Sequence, residues 1–256
     1  MRQILCDIIK RTVFRYRRDA TRTLIDKYRV PYQENIRPHI PAREPVRLAG
    51  IAICHDIKWG DSFVPRSWIP SFESHSPGYE FTLVQGLREI IKTGDRIVIV
   101  GGGLGVTATV AALCVGPSGS VECFEASEQH VGFARQTAAR NNVNNVTVRH
   151  AVIAKSIAVY GSGSDLGTIL PPSQLPPCDV LELDCEGAEV DIVRELVIQP
   201  RPILVETHGL YGAPTDLVAS LLRERGYLVS HRGVADPEFY DGCKKSDVEV
   251  LLGMKG

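Results

Sequence analysis

The chain lacks most of what marks a membrane-spanning, secreted or low-complexity protein. No apolar run approaches the about 18 residues that a spanning helix needs. No internal repeat or biased tract is visible. Excess charge is almost absent: 29 Lys+Arg against 30 Asp+Glu leave −1 over 256 residues, so the chain as a whole is not a polycationic nucleic-acid binder. The 7 cysteines include no C-x-x-C pair. An odd number lying mostly in apolar runs argues against a disulfide framework or zinc site, and for buried thiols in a reducing, cytoplasmic setting. Residues 1–10, MRQILCDIIK, are too short and too charged for the apolar region of a signal peptide. The sequon Asn145-Val146-Thr147 falls in an expected strand and is read as chance.

What is present is ordinary for a soluble enzyme. A hydrophobic content of 44% with 23% charged residues is enough to build a core, which excludes wholesale disorder. The length suits one large α/β domain, alone or with an appendage. The near-zero charge hides an asymmetry. Residues 1–47 hold 12 Lys+Arg and 5 Asp+Glu, a balance of +7; the remainder holds 17 and 25, a balance of −8. Within the arm, 1–30, a basic amphipathic helix is expected over 2–29: Leu5, Ile8, Ile9, Val13, Leu24 and Ile25 form an apolar stripe among arginines, and Pro31 ends it. Three roles fit such a helix: docking on the acidic body, peripheral contact with an anionic membrane surface, or nucleic-acid binding. Sparse aromatics (Phe14, Tyr16) argue against the last. Residues 31–78 contain seven prolines and read as a linker or loop-rich cap, with Trp59, Trp68 and Phe72 either packed beneath it or lining an acceptor pocket.

From residue 79 to 256 strand and helix patterns alternate. A helix is expected over Glu80 to Lys92, then a buried strand Arg96–Val100 and a helix from Val106 to Val115. Ser120–Phe124 is the next strand, followed by a helix capped by Ser127 and ending near Arg140. Asn145–His150, Asp179–Leu183 and Pro202–Val205 are further strands, and residues 156–177 form a long connection with one hairpin. Ala188 to Val197 and a segment capped by Thr215 and stopped by Gly226 are helices. Tyr227–Ser230 and Val248–Leu252 close the chain as two strands without a helix between them. The expectation is a doubly wound, mostly parallel sheet with an antiparallel hairpin at one edge.

The turn after the strand Arg96–Val100 is Gly101-Gly102-Gly103-Leu104-Gly105-Val106-Thr107-Ala108. Glycines there permit a tight strand-to-helix turn and let backbone N–H groups approach a ligand. Glu125 follows the next strand, 22 residues beyond Gly103, where a carboxylate can accept from a ribose diol. The pair fits an adenosine-containing ligand. Gly101, Gly103 and Gly105 read as G-x-G-x-G against S-adenosylmethionine; Gly103 to Ala108 reads equally as G-x-G-x-x-A for a dinucleotide pyrophosphate.

Further segments carry a resemblance. Gly94 to Ala108, Phe124-Glu125-Ala126-Ser127, Asn141 to Val148 and Ala151-Val152 stand in the order and spacing of the FkbM-type methyltransferases. Asp179-Val180-Leu181-Glu182-Leu183-Asp184-Cys185-Glu186-Gly187-Ala188-Glu189 resembles that family's most distinctive run, and Ile203 to His208 with Gly226-Tyr227 its closing part. The resemblance covers roughly residues 79–230. It implies a class I, Rossmann-like S-adenosylmethionine-dependent fold and methyl transfer, usually to a hydroxyl oxygen of a small molecule or sugar. By the same resemblance Glu80, Gly101, Gly103, Gly105, Glu125, Ala126, Ala151, Val152 and Asp184 are the cofactor-binding positions. The family commonly carries an aspartate two residues before the first glycine; here that residue is Ile99, and Glu80 is an upstream acid that can partly substitute.

Acceptor chemistry is expected at the ends of the Asp179–Leu183 and Pro202–Val205 strands. Asp184 and His208 are the candidate bases for a hydroxyl nucleophile. Glu189 in a first helical turn has a purely structural alternative, as does Glu186 beside Gly187. Asp184, Glu186, Glu206 and His208 could also converge on Mg²⁺, a divalent metal left unassigned. No Asn-Pro-Pro-Tyr element follows the Asp179–Leu183 strand, which argues against methylation of base amino groups. The competing readings are an NAD(P)-dependent oxidoreductase and a non-catalytic binding protein on the same fold.

Overall fold

The structure, a computed structural model, describes residues 47–53, 75–76, 78–154 and 167–255, which belong to one compact unit. The basic arm, the prolines up to Pro70, Trp59, Trp68 and Phe72 lie outside the described residues. In chain order the strands are β1 (Arg47–Leu48), β2 (Ile51–Ala52), β3 (His75–Ser76), β4 (Arg96–Val100), β5 (Ser120–Glu125), β6 (Val146–Ile153), β7 (Thr168–Leu170), β8 (Val180–Leu183), β9 (Pro202–Glu206), β10 (Leu228–Val234) and β11 (Glu249–Met254). The helices are α1 (Phe81–Ile90), α2 (Val106–Val115), α3 (Glu128–Arg140), α4 (Glu189–Glu195), α5 (Thr215–Glu224) and α6 (Tyr240–Ser246).

Eight strands form one sheet in the order β10-β11-β9-β8-β4-β5-β6-β7. Every pairing from β9 to β7 is parallel, and β11 runs antiparallel between β9 and β10. This is the expected doubly wound, mostly parallel sheet with an antiparallel end. Strand alternation assigns the two faces. Ile97 and Ile99 of β4 join Val121 and Cys123 beneath α2 and α3, while Val98 and Val100 join Leu181, Leu183, Ile203 and Val205 beneath α4 and α5. A third cluster sets Leu83 and Leu87 of α1 on Leu204, Val250 and Leu252. α2 has no polar stripe because it is covered on nearly all sides: eight of its ten residues are buried.

Two local expectations need correction. The last two strands are joined through a helix, α6; its exposed, polar sequence YDGCKKS carries no apolar stripe to mark it. Thr168–Leu170 pairs in parallel with β6, and residues 156–166, where the rest of the expected hairpin falls, lie outside the described residues. Thr215 is the first residue of α5 rather than its cap; Pro214 occupies the cap position, and Asp247 Oδ2 accepts from the Thr215 N–H at 3.0 Å. Ser127 does cap α3, accepting from His130 N–H at 3.4 Å. Asn145, of the sequon, turns its side-chain amide to the carbonyls of Ala112, Gly116 and Gly119. Ahead of the main sheet, β1 pairs with β2 and β3, and Asn141 at the end of α3 exchanges hydrogen bonds with both backbone groups of Ala52. Among the described residues no helix is long and apolar enough to cross a membrane, and Cys114, Cys123, Cys178, Cys185 and Cys243 are free thiols.

Candidate functional site

At the carboxyl ends of β4, β5, β6, β8 and β9 lies a cavity of about 430 Å³, within the size range of small-molecule sites. The glycine turn forms its floor. Gly101 has φ 103°, and a Cβ there would stand 1.6 Å from the Asp184 carbonyl oxygen. The first glycine is thus required by the close approach of the β8 end as much as by any ligand. Gly103 has nothing within 4 Å of its Cβ position and lines the cavity. Gly105 lies off the cavity, packed on Ala134 of α3.

Glu125 is almost fully buried, and its carboxylate is engaged. Oε2 accepts from the N–H groups of Gly102 (2.9 Å) and Gly103 (2.8 Å), and Oε1 from Ser127 N–H (2.7 Å). An ionised carboxylate offers about four lone-pair positions, so one stays open on Oε1. Glu80, Gly101, Gly103, Glu125, Ala126, Ala151, Val152 and Asp184 all line the cavity. Tyr79, Thr107 and His130 line it too, although the motif pattern did not point to them. For His130 a signal existed: it is the third residue after the cap Ser127, in the first turn of a helix that opens at the strand ends.

Ile99 does not face this space. It is fully buried on the α2–α3 face, in register with Glu182 of β8. Glu182 is also fully buried, with the Thr107 side chain beside it. Burial, reinforced by Asp184 and Glu80, pushes its pKa well above the usual carboxylate range.

The acids are the site's dominant chemistry. Glu80, Glu125, Asp184, Glu186 and Glu206 line the cavity, and among the described residues no Lys or Arg does. Burial and the neighbouring Asp184 and Asp236 push Glu80 up to about 8. Asp184 is pushed up to about 6 by burial and by Glu186 and Glu189, against the opposing pull of His208. Glu206 is raised well above its ordinary value by burial, then by Asp184 and Glu80. His208 stands behind them, 5% exposed and off the cavity lining. Burial alone would lower its pKa, but the hydrogen bond to Glu189 and the charges of Asp184, Glu189 and Glu186 carry it up to about 9.

Two tight contacts bring these groups together. Glu186 has φ 54°, an uncommon conformation for a residue with a side chain. At Gly187 a Cβ would stand 2.4 Å from the Tyr211 carbonyl oxygen, so the loop after β8 lies directly on the turn Gly209–Tyr211 that follows His208. Glu189, fully buried, then accepts from His208 Nδ1 at 2.9 Å and from Cys185 N–H at 3.1 Å.

No family model and no curated protein matches the chain. Solved structures do share similarity with it. A precorrin-6y C5,15-methyltransferase of Geobacter metallireducens GS-15 is 16% identical over 75% of this chain and 93% of that one, with a TM-score of 0.47. A ribosomal protein L11 methylase of Lactobacillus delbrueckii subsp. bulgaricus is 13% identical over 71% and 81%, with a TM-score of 0.48. An S-adenosylmethionine-dependent O-methyltransferase of Thermotoga maritima is 18% identical over 69% and 64%, with a TM-score of 0.45.

Proposed function

We propose that the chain is an S-adenosylmethionine-dependent methyltransferase of the FkbM type that methylates a hydroxyl oxygen of a small molecule or glycan. The observation that carries this reading is the charge of the cavity. Among the described residues, five carboxyl side chains and no Lys or Arg surround the ligand space beside the glycine turn. That lining favours a cationic ligand and opposes a pyrophosphate. S-adenosylmethionine carries a sulfonium and an ammonium against one carboxylate, a net positive charge; a nicotinamide dinucleotide carries two negatively charged phosphates. The dinucleotide reading keeps only the Gly103–Ala108 spacing in its favour.

The chemistry follows from this arrangement. The acceptor oxygen attacks the methyl carbon, the sulfur–carbon bond breaks with its electron pair returning to sulfur, and S-adenosylhomocysteine leaves. The donor is already activated, so alignment of the two reactants supplies the larger share of the acceleration, up to about 7–11 kcal/mol. The hydroxyl proton needs an acceptor. Asp184, at the cavity wall with its pKa pushed up to about 6, is better matched to that task than His208, which sits behind the acids and holds its proton up to about 9. Glu80, Gly103 and Glu125 hold the cofactor, and the absence of an acid at position 99 removes nothing from the cavity wall, since Ile99 faces the core.

Calorimetric titration with S-adenosylhomocysteine, paired with an NADH fluorescence titration, tests the assignment. Saturable binding of the first and none of the second is expected. NADH binding tighter than S-adenosylhomocysteine, or no binding of S-adenosylhomocysteine at millimolar concentration, overturns it.

A further inference from the structure

His208 Nε2 lies 3.5 Å from Asp184 Oδ1, 3.7 Å from Glu186 Oε2 and 3.7 Å from Glu206 Oε1. These separations exceed those of hydrogen bonds, whose N–H···O distance centres on about 2.9 Å. They resemble the edges of a coordination shell. Ligand atoms about 2.1 Å from one ion stand about 3.0 Å apart in an octahedron and about 3.4 Å apart in a tetrahedron. Asp184, Glu206 and His208 each offer a ligand atom, all within 4.8 Å of one another.

Two independent observations point to an ion among these atoms. Glu206 lines the cavity yet is only 8% exposed, and its Oε2 has no hydrogen-bond partner. A buried carboxylate oxygen without a donor is costly, and a cation removes the cost. Behind the ring, the buried Glu189 accepts at 2.9 Å from Nδ1. With Nδ1 engaged by that carboxyl group, Nε2 is turned towards Asp184, Glu186 and Glu206, where an ion would take the place of its proton. Metal-binding histidines are oriented in this way by a carboxylate on their other nitrogen.

We propose that Asp184, Glu206 and His208, with Glu186 beside them, hold a divalent cation of the Mn²⁺ class at the acceptor side of the cavity. One imidazole nitrogen among carboxylate oxygens suits Mn²⁺ better than Mg²⁺, which prefers an all-oxygen shell and keeps its waters. The inference deepens the methyl-transfer reading and rests on it for the role of the ion, but not for its binding. An acceptor hydroxyl on the ion becomes acidic and gives its proton to water; its oxygen then takes the methyl group while the sulfur–carbon pair returns to sulfur. With the ion bound, Asp184 is a ligand, and the proton-acceptor role it has in the ion-free site passes to water.

The full-length chain, stripped with chelator and desalted, is titrated with Mn²⁺ while the electron paramagnetic resonance signal of the free ion is followed. One saturable site per chain with micromolar affinity is expected. Affinity should fall by about tenfold or more in Glu206→Gln and His208→Ala, and stay unchanged in Glu128→Gln, an exposed acid on α3. Absence of saturable binding in the unmodified chain, or equal affinity in the two site variants, overturns the proposal. Should either variant fail to fold, Mn²⁺ broadening of the His208 imidazole resonance in the unmodified chain decides: broadening at low occupancy supports the site, and none overturns it. Calorimetry with S-adenosylhomocysteine on the same samples separates the two readings. Cofactor binding without Mn²⁺ binding removes the ion alone; Mn²⁺ binding without cofactor binding removes the methyltransferase assignment and leaves the ion site standing.

Discussion

At Glu125 one carboxylate is engaged by the turn and, in the proposed function, serves the ligand as well. Its three N–H donors come from Gly102, Gly103 and Ser127, so it ties the turn after β4 to the start of α3 before any cofactor arrives. The lone pair left on Oε1 can accept one ribose hydroxyl. Glu125→Ala removes the tie and the acceptor together. Binding of S-adenosylhomocysteine is expected to weaken by about 1.5–3 kcal/mol, the range for hydrogen bonds to a charged group, and thermal stability to fall with it. Calorimetry and a melting curve on the same variant read the two effects separately. A lowered melting temperature with unchanged affinity would assign Glu125 to the turn alone. The two outer glycines make the complementary point: Gly101 and Gly105 fit a ligand motif by spacing, but their space is taken by the Asp184 carbonyl and by Ala134.

Among the elements, those legible in the sequence are the ones whose information is local. The β-branched run Arg96–Val100, the cap Ser127 and the uninterrupted apolar sequence of α2 each carry their own signal, and each element forms where its pattern predicts. The rest depends on contacts between distant residues. α5 begins at Thr215 without a cap of its own, and the missing acceptor comes from Asp247, 32 residues later, whose Oδ2 takes the Thr215 N–H and whose Oδ1 takes its hydroxyl at 2.7 Å. The candidate site divides in the same way. The motif spacing named Asp184, Glu125 and His208, but it could not show that Glu189 would orient His208 or that Glu182 would be fully buried, because both follow from how distant elements meet. Asp247 has φ 52°, which Asn tolerates and most side chains do not. Asp247→Ala is expected to cost about 1–2 kcal/mol of stability through the lost cap and the strained backbone, and Asp247→Asn less. Urea unfolding measures both; equal losses would show that the charge, not the capping geometry, is what α5 uses.

At the scale of the molecule, the acidity of the body is concentrated where it has consequences. Beyond residue 47 the chain carries a balance of −8, and five of its acids border one cavity that no Lys or Arg among the described residues enters. Unit charges about 4 Å apart at an effective dielectric near 20 interact by about 4 kcal/mol. Even after partial protonation of the raised carboxyls, a cationic cofactor should be held better than its neutral product. S-adenosylmethionine exceeds S-adenosylhomocysteine by one positive charge at sulfur, so about a tenfold preference for the donor is expected at low ionic strength with chelator present. The preference should narrow as salt shortens the screening length from about 10 Å at 0.1 M towards about 3 Å at 1 M, without changing sign, because the nearest acids are shielded from solvent. Calorimetry of both ligands at the two salt concentrations checks this. Tighter, salt-insensitive binding of the product would mean that the acids around the cavity stay protonated in the complex, and that cofactor recognition rests on the glycine turn and the adenosine pocket alone. A donor preference that survives salt would instead make the acid ring the device that admits the charged donor and lets the neutral product leave.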